Sequence, residues 1–417
     1  MRYNISHMDN FFATLGLSSQ SVFLDAFGFA YLIFIVIAPI ILGALFSQSF
    51  VIYNKNKFIH KQEKALLKIK LPQEVVKSPL AMELFLTSLY QTKGEGTFIN
   101  RWFKGKVRPW FSLEIVSIGG EVRFYIWTWK FWKPMIESQL YAQYPDIEVE
   151  EVKDYVDDMH FNFNKMDLWG CQFVLTKASH FPIKSYTDYS LDQDPDEELK
   201  IDPMTPVIEF LGGLREGEQA WIQIIIRAHK KEFPKHGTWF EKVDWKEGAK
   251  DEIKALRDKD KQQAGEIKVT GVSLSKGEKD VIEAIERNVS KIPFDCGIRA
   301  IYVANKESFN DINIAGLNGA FRQYNSYNLN GFATDHATDF NYPWQDFRNY
   351  RLNKKKDHIL HAYKNRTYFH VPKKSHYFVM NTESLATIYH FPGQVAKTPN
   401  ISRVEAKKSE APTNLPI

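Results

Sequence analysis

Residues 27–46, FGFAYLIFIVIAPIILGALF, hold no charged side chain. About 20 apolar residues rising 1.5 Å each cross a hydrocarbon core of about 30 Å, and a helix satisfies its own backbone polar groups there. Pro39 lies inside the run and at most kinks such a helix, which lipid tolerates. The run is longer than the apolar core of a cleaved leader. Asp9 and Asp25 precede it rather than a basic region, and LFSQSF after it lacks a small-x-small cleavage site. The expectation is a retained transmembrane anchor over residues 27–53, with 1–26 as an extracytoplasmic tail. Lys55, Lys57, Lys61, Lys64, Lys68 and Lys70 follow the run, whereas only Arg2 precedes it. The positive-inside rule therefore places the N-terminus outside and the large C-terminal body in the cytoplasm, tethered to the inner (cytoplasmic) membrane as a single-pass protein.

The body is long enough for two or three domains. Its hydrophobic content of 44% and charged content of 25% are those of a globular chain, and the net charge of +4 is too small to imply nucleic-acid binding by itself. Cys171 and Cys296 are the only cysteines, which excludes a disulfide framework or a cysteine zinc site; they read as buried small hydrophobes.

Residues 65–70 read as a strand. Ser78-Pro79 reads as an N-cap with proline at the first helical position, followed by Met82, Phe85, Leu86 and Leu89 on one face. Residues 110–117 and 121–129 form two strands hinged at Gly119-Gly120, a hairpin signal. A helix over 131–144 and a half-buried strand around Ile147 and Val149 complete strand, helix, strand, strand, helix, strand, the ferredoxin-like order. The next stretch repeats much of it. A strand over 166–177 precedes a helix opened by Asp202-Pro203, and a strand covers 218–230. Ser275 and Glu278 form a capping box before Val281, Ile282, Ile285 and Val289, and a strand covers 294–304. No clean second hairpin is visible.

The fold class expected is therefore α+β: one N-terminal transmembrane helix followed by duplicated ferredoxin-like domains. The first domain spans 60–158 and the second 159–325, with a charged insertion at 232–268 that includes an exposed helix near 250–263. A basic, aromatic region covers 326–404 and a linker-like tail 405–417. The acidic stretch 192–202 reads as a surface loop, as does most of the insertion.

Specific catalytic motifs are missing. The sequence has no G-x-x-x-x-G-K-[ST] phosphate cradle, no G-x-S-x-G elbow and no H-E-x-x-H. A non-enzymatic protein without cofactor is expected, although a site scattered through the sequence stays open. His358 and His361 share a helical i, i+3 spacing, with His370 and His376 beyond, and three such nitrogens can hold a metal. The basic surroundings disfavour a cation, and surface or packing histidines are the simpler reading. Asp335, His336 and Asp339 lie in one loop that can position an acid/base group, or simply cap its own backbone.

Charge is the more physical signal. Residues 348–374 carry Arg348, Arg351, Lys354, Lys355, Lys356, Lys364, Arg366, Lys373 and Lys374 against Asp357 alone, interleaved with Tyr350, Tyr363, Tyr368 and Tyr377 just beyond. Cations with aromatic platforms hold single-stranded nucleic acid. They also suit anionic lipid, an acidic protein partner, or plain solvation.

The segments KIKLPQEVVKSPLAMELFLTSLY (68–90), SLEIVSIGGEVRFYIW (112–127), ESQLYAQYPDIEVEEV (137–152) and NTESLATIYHFPG (381–393) resemble an uncharacterised bacterial family. It is the membrane-anchored N-terminal region found in front of conjugation-type, type IV secretion-like DNA-transfer ATPases. The likeness covers nearly all of residues 60–417 by order of segments. In that family a segment like EAPTNLPI leads into a motor domain with a P-loop. The resemblance therefore implies the anchor and adaptor portion without the motor, either a split partner of a separate P-loop ATPase or a self-assembling relative, and no catalytic residue carries over. The function expected is a non-enzymatic membrane adaptor of a DNA-transfer system. A membrane-tethered nucleic-acid-binding module and a membrane-tethered enzyme with an unrecognised site are the alternatives.

Overall fold

The computed structural model describes residues 19–393 apart from 73–76, 160, 193–200, 232–243, 267–274, 341, 343, 345 and 371–373. Expectations for residues 1–18 of the N-terminal tail, for the tail 405–417, for most of the acidic loop and for parts of the charged insertion lie outside these residues. The chain divides into two compact units, one of Met1–Lys61 with Gly94–Val107 and one of Gln62–Lys93 with Arg108–Ile417.

In the first unit, helix α1 (Ser19–Lys61) carries Pro39 inside it. Among the described residues it is the one helix long and apolar enough to cross a membrane. Its segment Phe34–Lys61 contains a window of mean hydropathy 2.3, none of it buried.

The second unit is built on one antiparallel sheet, nine-stranded among the described residues. Its elements are β1 (Lys64–Lys70), α2 (Pro79–Ser88), β2 (Trp110–Ile118), β3 (Glu121–Trp129), α3 (Lys133–Gln143), β4 (Glu148–Val152), β5 (Met166–Leu175), α4 (Thr205–Gly212), β6 (Glu218–Ala228), α5 (Trp245–Glu266), α6 (Lys276–Ser290), β7 (Pro293–Asn305), α7 (Asp311–Ala320), β8 (Phe332–Asp335), α8 (Tyr350–Lys364), β9 (Phe378–Asn381) and α9 (Thr382–Ile388). The strand order is β4-β1-β3-β2-β6-β7-β5-β8, with β9 added to β7. β2 pairs with β6 from Trp110↔Arg227 to Ile118↔Gln219, so the segments expected as a first and a second α+β domain share one continuous sheet.

Gly119 and Gly120 take φ of +59° and +86°, which lets β2 turn directly into β3. β6 and β7 are also antiparallel neighbours, from Glu218↔Ala304 to Ala228↔Phe294. Their turn is replaced by a long connection carrying α5 and α6, which is why no hairpin signal exists. Ser275 caps α6 through the reciprocal Ser275–Glu278 pairing.

Strand alternation gives the sheet two different faces. Phe111, Leu113, Ile115, Phe124, Ile126, Ile222, Ile224 and Ile226 join one apolar core with Phe85 and Leu86 of α2, Ile136 and Leu140 of α3, Val207 and Ile208 of α4, and Leu317 of α7. Buried residues of the opposite alternation include Ser112, Glu114, Gln223, Arg227, Asp295 and Arg299. α9 is buried along its whole length and packs against α2. Tyr389 after it donates to the Tyr125 carbonyl at 3.1 Å.

His390 closes this C-terminal segment onto the loop before α4, with Nε2 3.1 Å from Asp202 Oδ1 and Nδ1 2.8 Å from the Ala386 carbonyl. Burial opposes charging the imidazole, but the Asp202 carboxylate and these bonds outweigh it and raise its pKa above the usual value. Burial likewise opposes the Asp202 charge, and His390 with the Met204 N–H holds that carboxyl below its usual range. The histidine's contribution to stability is then complete below about pH 6.5 and is lost as pH rises through its raised pKa. The aspartate's contribution is present above about pH 3.9 and is lost in acid. Thermal unfolding of the body is expected to show a midpoint that falls as pH rises above about 6.5, and His390→Gln is expected to flatten that slope. An unchanged slope in the variant removes His390 as the titrating group.

Candidate functional site

Helix α8 arises from the sequence's most basic stretch, and its start is set by side-chain capping. Asp346 accepts from the backbone N–H of Arg351 at 2.9 Å and of Leu352 at 2.8 Å. Arg348 and Asn349 enter it in left-handed conformations, with φ of +56° and +60°. Ile359, Leu360, Ala362 and Tyr363 form its buried face. That face lies on β5, where a Cβ at Gly170 would stand 3.0 Å from Ile359 Cδ1. Beyond α8, Tyr368 covers Gly297 of β7 so closely that a Cβ there would meet its ring at 2.3 Å.

Not all of the basic residues expected on a contact surface reach one. Arg366 is only 1% exposed and Glu114 on β2 is 0% exposed. Arg366 Nε and Nη2 donate to the two carboxylate oxygens of Glu114 at 2.9 and 3.0 Å, and its Nη1 pairs with Asp154. Glu114 also accepts from Ser112 Oγ at 2.7 Å, Tyr155 Oη at 2.8 Å and Gln223 Nε2 at 3.1 Å. Burial works against the Arg366 charge, and Glu114 and Asp154 hold it firmly protonated. Burial, and after it the Glu114 charge, pushes the Tyr155 and Tyr363 hydroxyls up. Arg366 and Glu114 are buried and Asp154 is partly exposed, so the cluster fastens the segment after α8 to the sheet. Lys356 is buried too, paired with Asp167 of β5.

Arg348, Arg351, Lys354, Lys355 and Lys374 are exposed, and Lys364 is half-buried. Lys373 lies outside the described residues. Lys355 secures the preceding loop, donating to the Ala337 and Asp339 carbonyls at 3.3 and 3.1 Å with its ammonium 4.0 Å from the centre of the Phe340 ring. Of the interleaved tyrosines, Tyr363 and Tyr368 are buried and only Tyr350 is fully exposed.

A group of exposed rings lies just before and at the start of α8. Trp344, Phe347 and Tyr350 are 79%, 80% and 72% exposed. Tyr342 stacks on Trp344 with ring centres 4.8 Å apart and planes 13° from parallel. Arg348 lies over the Phe347 ring, 5.3 Å from its centre, and Arg351 and Lys354 are exposed in the first turns of α8, so exposed rings and cations share one short stretch of chain. Sequence reasoning missed Tyr342, Trp344 and Phe347, although residues 340–350 hold five aromatics in eleven positions. Counting charge drew attention to the residues after them.

The remaining candidates do not converge. His358 and His361 are exposed on α8, where His361 Nδ1 lies 3.0 Å from Asn365 Nδ2. His370 packs instead against the Trp110 ring, 5.5 Å away. Among the described residues no group of three or more histidine, cysteine, aspartate or glutamate side chains is placed to hold a metal ion. His336, with φ of +51°, pairs its Nδ1 with Asp335 Oδ2 at 2.6 Å on the outermost strand. In that loop the Asp339 backbone carbonyl accepts from Lys355 Nζ at 3.1 Å.

A family model described as "Domain of unknown function (DUF8128)" matches residues 53–404, beginning beyond the apolar run of α1. A search of curated proteins returned no match.

Proposed function

Because the chain belongs to the family described as a domain of unknown function (DUF8128), we propose its role from its geometry: a non-enzymatic, membrane-anchored docking protein. α1 is the single-pass anchor, its N-terminus outside and the sheet body on the cytoplasmic side of a bacterial inner membrane. The strand orders β4-β1-β3-β2 and β6-β7-β5-β8 support reading the body as two ferredoxin-like copies fused edge to edge through β2 and β6. The observation that carries the proposal is the patch before α8. Soluble bodies bury such rings, and clustered exposed Trp and Tyr with Arg mark protein interfaces. The resemblance of the chain to regions preceding DNA-transfer ATPases points to a separate P-loop ATPase of a type IV secretion-like or conjugation system as the occupant.

The stacked Tyr342–Trp344 pair favours one second reading, single-stranded nucleic acid on the same patch. Binding that weakens steeply with salt distinguishes it.

Orientation is tested by protease shaving. The body is expected to resist protease added to intact spheroplasts and to be digested in inverted membrane vesicles. Digestion from the outer face contradicts the proposal.

A further inference from the structure

Gly94–Val107 interrupts the sheet unit's sequence between α2 and β2 yet belongs to the same compact unit as α1. It contains one short helix, Phe98–Trp102, capped by Thr97, whose side chain accepts from Asn100 N–H. Three features fasten it to α1. Asn54 Nδ2 donates to the Trp102 carbonyl at 3.1 Å. Phe103 meets Phe50 edge-on, with ring centres 6.1 Å apart. Gly105 lies so close to the α1 backbone that a Cβ would stand 2.2 Å from the Asn54 carbonyl, and its φ of +59° suits glycine.

The segment turns apolar side chains outward. Phe98, Ile99 and Phe103 are exposed, and Trp102 stacks on Phe98 at 5.2 Å. A ladder of rings continues from the exposed span itself: Phe46 stacks on Phe50 at 6.0 Å, Phe50 meets Phe103, and Phe103 meets Phe98 at 6.2 Å. At 1.5 Å per residue, Phe50 and Asn54 lie about 6 and about 12 Å beyond Phe46 along α1. If the apolar run fills the hydrocarbon core, that is the depth of the headgroup layer, where aromatic rings partition. Arg101, Lys104 and Lys106 oppose Glu95 alone, and Lys57 and Lys61 of α1 add to them.

We propose that Gly94–Val107 is a second, interfacial membrane anchor: Phe98, Ile99, Trp102 and Phe103 insert among lipid headgroups beside α1, and the cations engage anionic phosphates. Such a clip would restrict rotation about the span, which a lone helix leaves free. The inference rests on α1 spanning the membrane.

The test uses the full chain in vesicles of phosphatidylcholine with phosphatidylglycerol, and an environment-sensitive fluorophore on single introduced cysteines. Both native cysteines are buried. The sites are Phe98→Cys, Phe103→Cys and, within the span, Leu42→Cys. Spin-labelled lipids are expected to quench all three, with headgroup-level labels most effective at 98 and 103. Quenching at 42 without quenching at 98 and 103 overturns the clip and leaves the span standing; no quenching at 42 overturns both. Gly105→Val is expected to abolish quenching at 98 and 103 while sparing 42, and full quenching there rejects the seating on α1. Each cation near an anionic surface strengthens binding about fivefold. Vesicles of phosphatidylcholine alone should therefore weaken quenching at 98, and equal quenching rejects the role of anionic phosphates.

Discussion

Arg366→Met is expected to destabilise the body by about 3–5 kcal/mol, the usual cost of removing one partner from a buried ion pair. The loss is large because Glu114 is fully buried, accepts from Ser112, Tyr155 and Gln223, and has Arg366 as its counter-ion. Without the guanidinium, the buried Glu114 carboxyl loses its counter-ion. Arg366 also holds Asp154, so the segment linking β4 to β5 loosens with it. The check is chemical denaturation of the body, comparing Arg366→Met, Glu114→Met and the double variant. The double variant should recover much of the loss, since paired apolar replacement avoids the orphaned charge. Single variants within about 0.5 kcal/mol of wild type, the range of ordinary surface changes, would show that the pair does not fasten this segment.

The second large effect concerns binding and leaves stability alone. Trp344→Ala, Phe347→Ala and Tyr350→Ala remove rings that are mostly exposed. The combined variant is therefore expected to unfold within about 1 kcal/mol of wild type. If the patch docks a partner, two or three such anchors are each worth about 1–2 kcal/mol or more, so affinity should fall about 30-fold or further. Arg348→Glu with Lys354→Glu should act in the same direction on the rim. A triple variant that unfolds early would mean that the rings pack onto the body. One that binds its partner normally would place docking elsewhere.

Local signals made part of this architecture legible. Gly119-Gly120 between two alternating runs announced the β2–β3 hairpin, Ser78-Pro79 announced α2, and the Ser275–Glu278 spacing announced α6. Each depends on neighbours within a few residues. Contacts made across the chain were not legible. β8 and β9 are four residues each and exist because β5 and β7 present free edges to them. α9 carries polar Thr382, Glu383 and Thr387 yet is wholly buried, because Glu83, Lys291 and the Tyr186 backbone N–H meet those groups from distant segments. The same blindness affected the basic stretch. A charge count cannot reveal that Arg366 faces a glutamate 252 positions earlier, or that Lys356 faces Asp167. The exposed rings of 342–350 were countable, but their exposure was not.

The most direct measurement is crosslinking in native membranes, followed by purification through a C-terminal tag and mass spectrometry of what remains attached. A docking protein that serves a separate motor predicts a P-loop ATPase recovered near stoichiometry and lost when Trp344, Phe347 and Tyr350 are replaced by alanine. Recovery of the chain alone, under crosslinking that captures other membrane complexes, would contradict it.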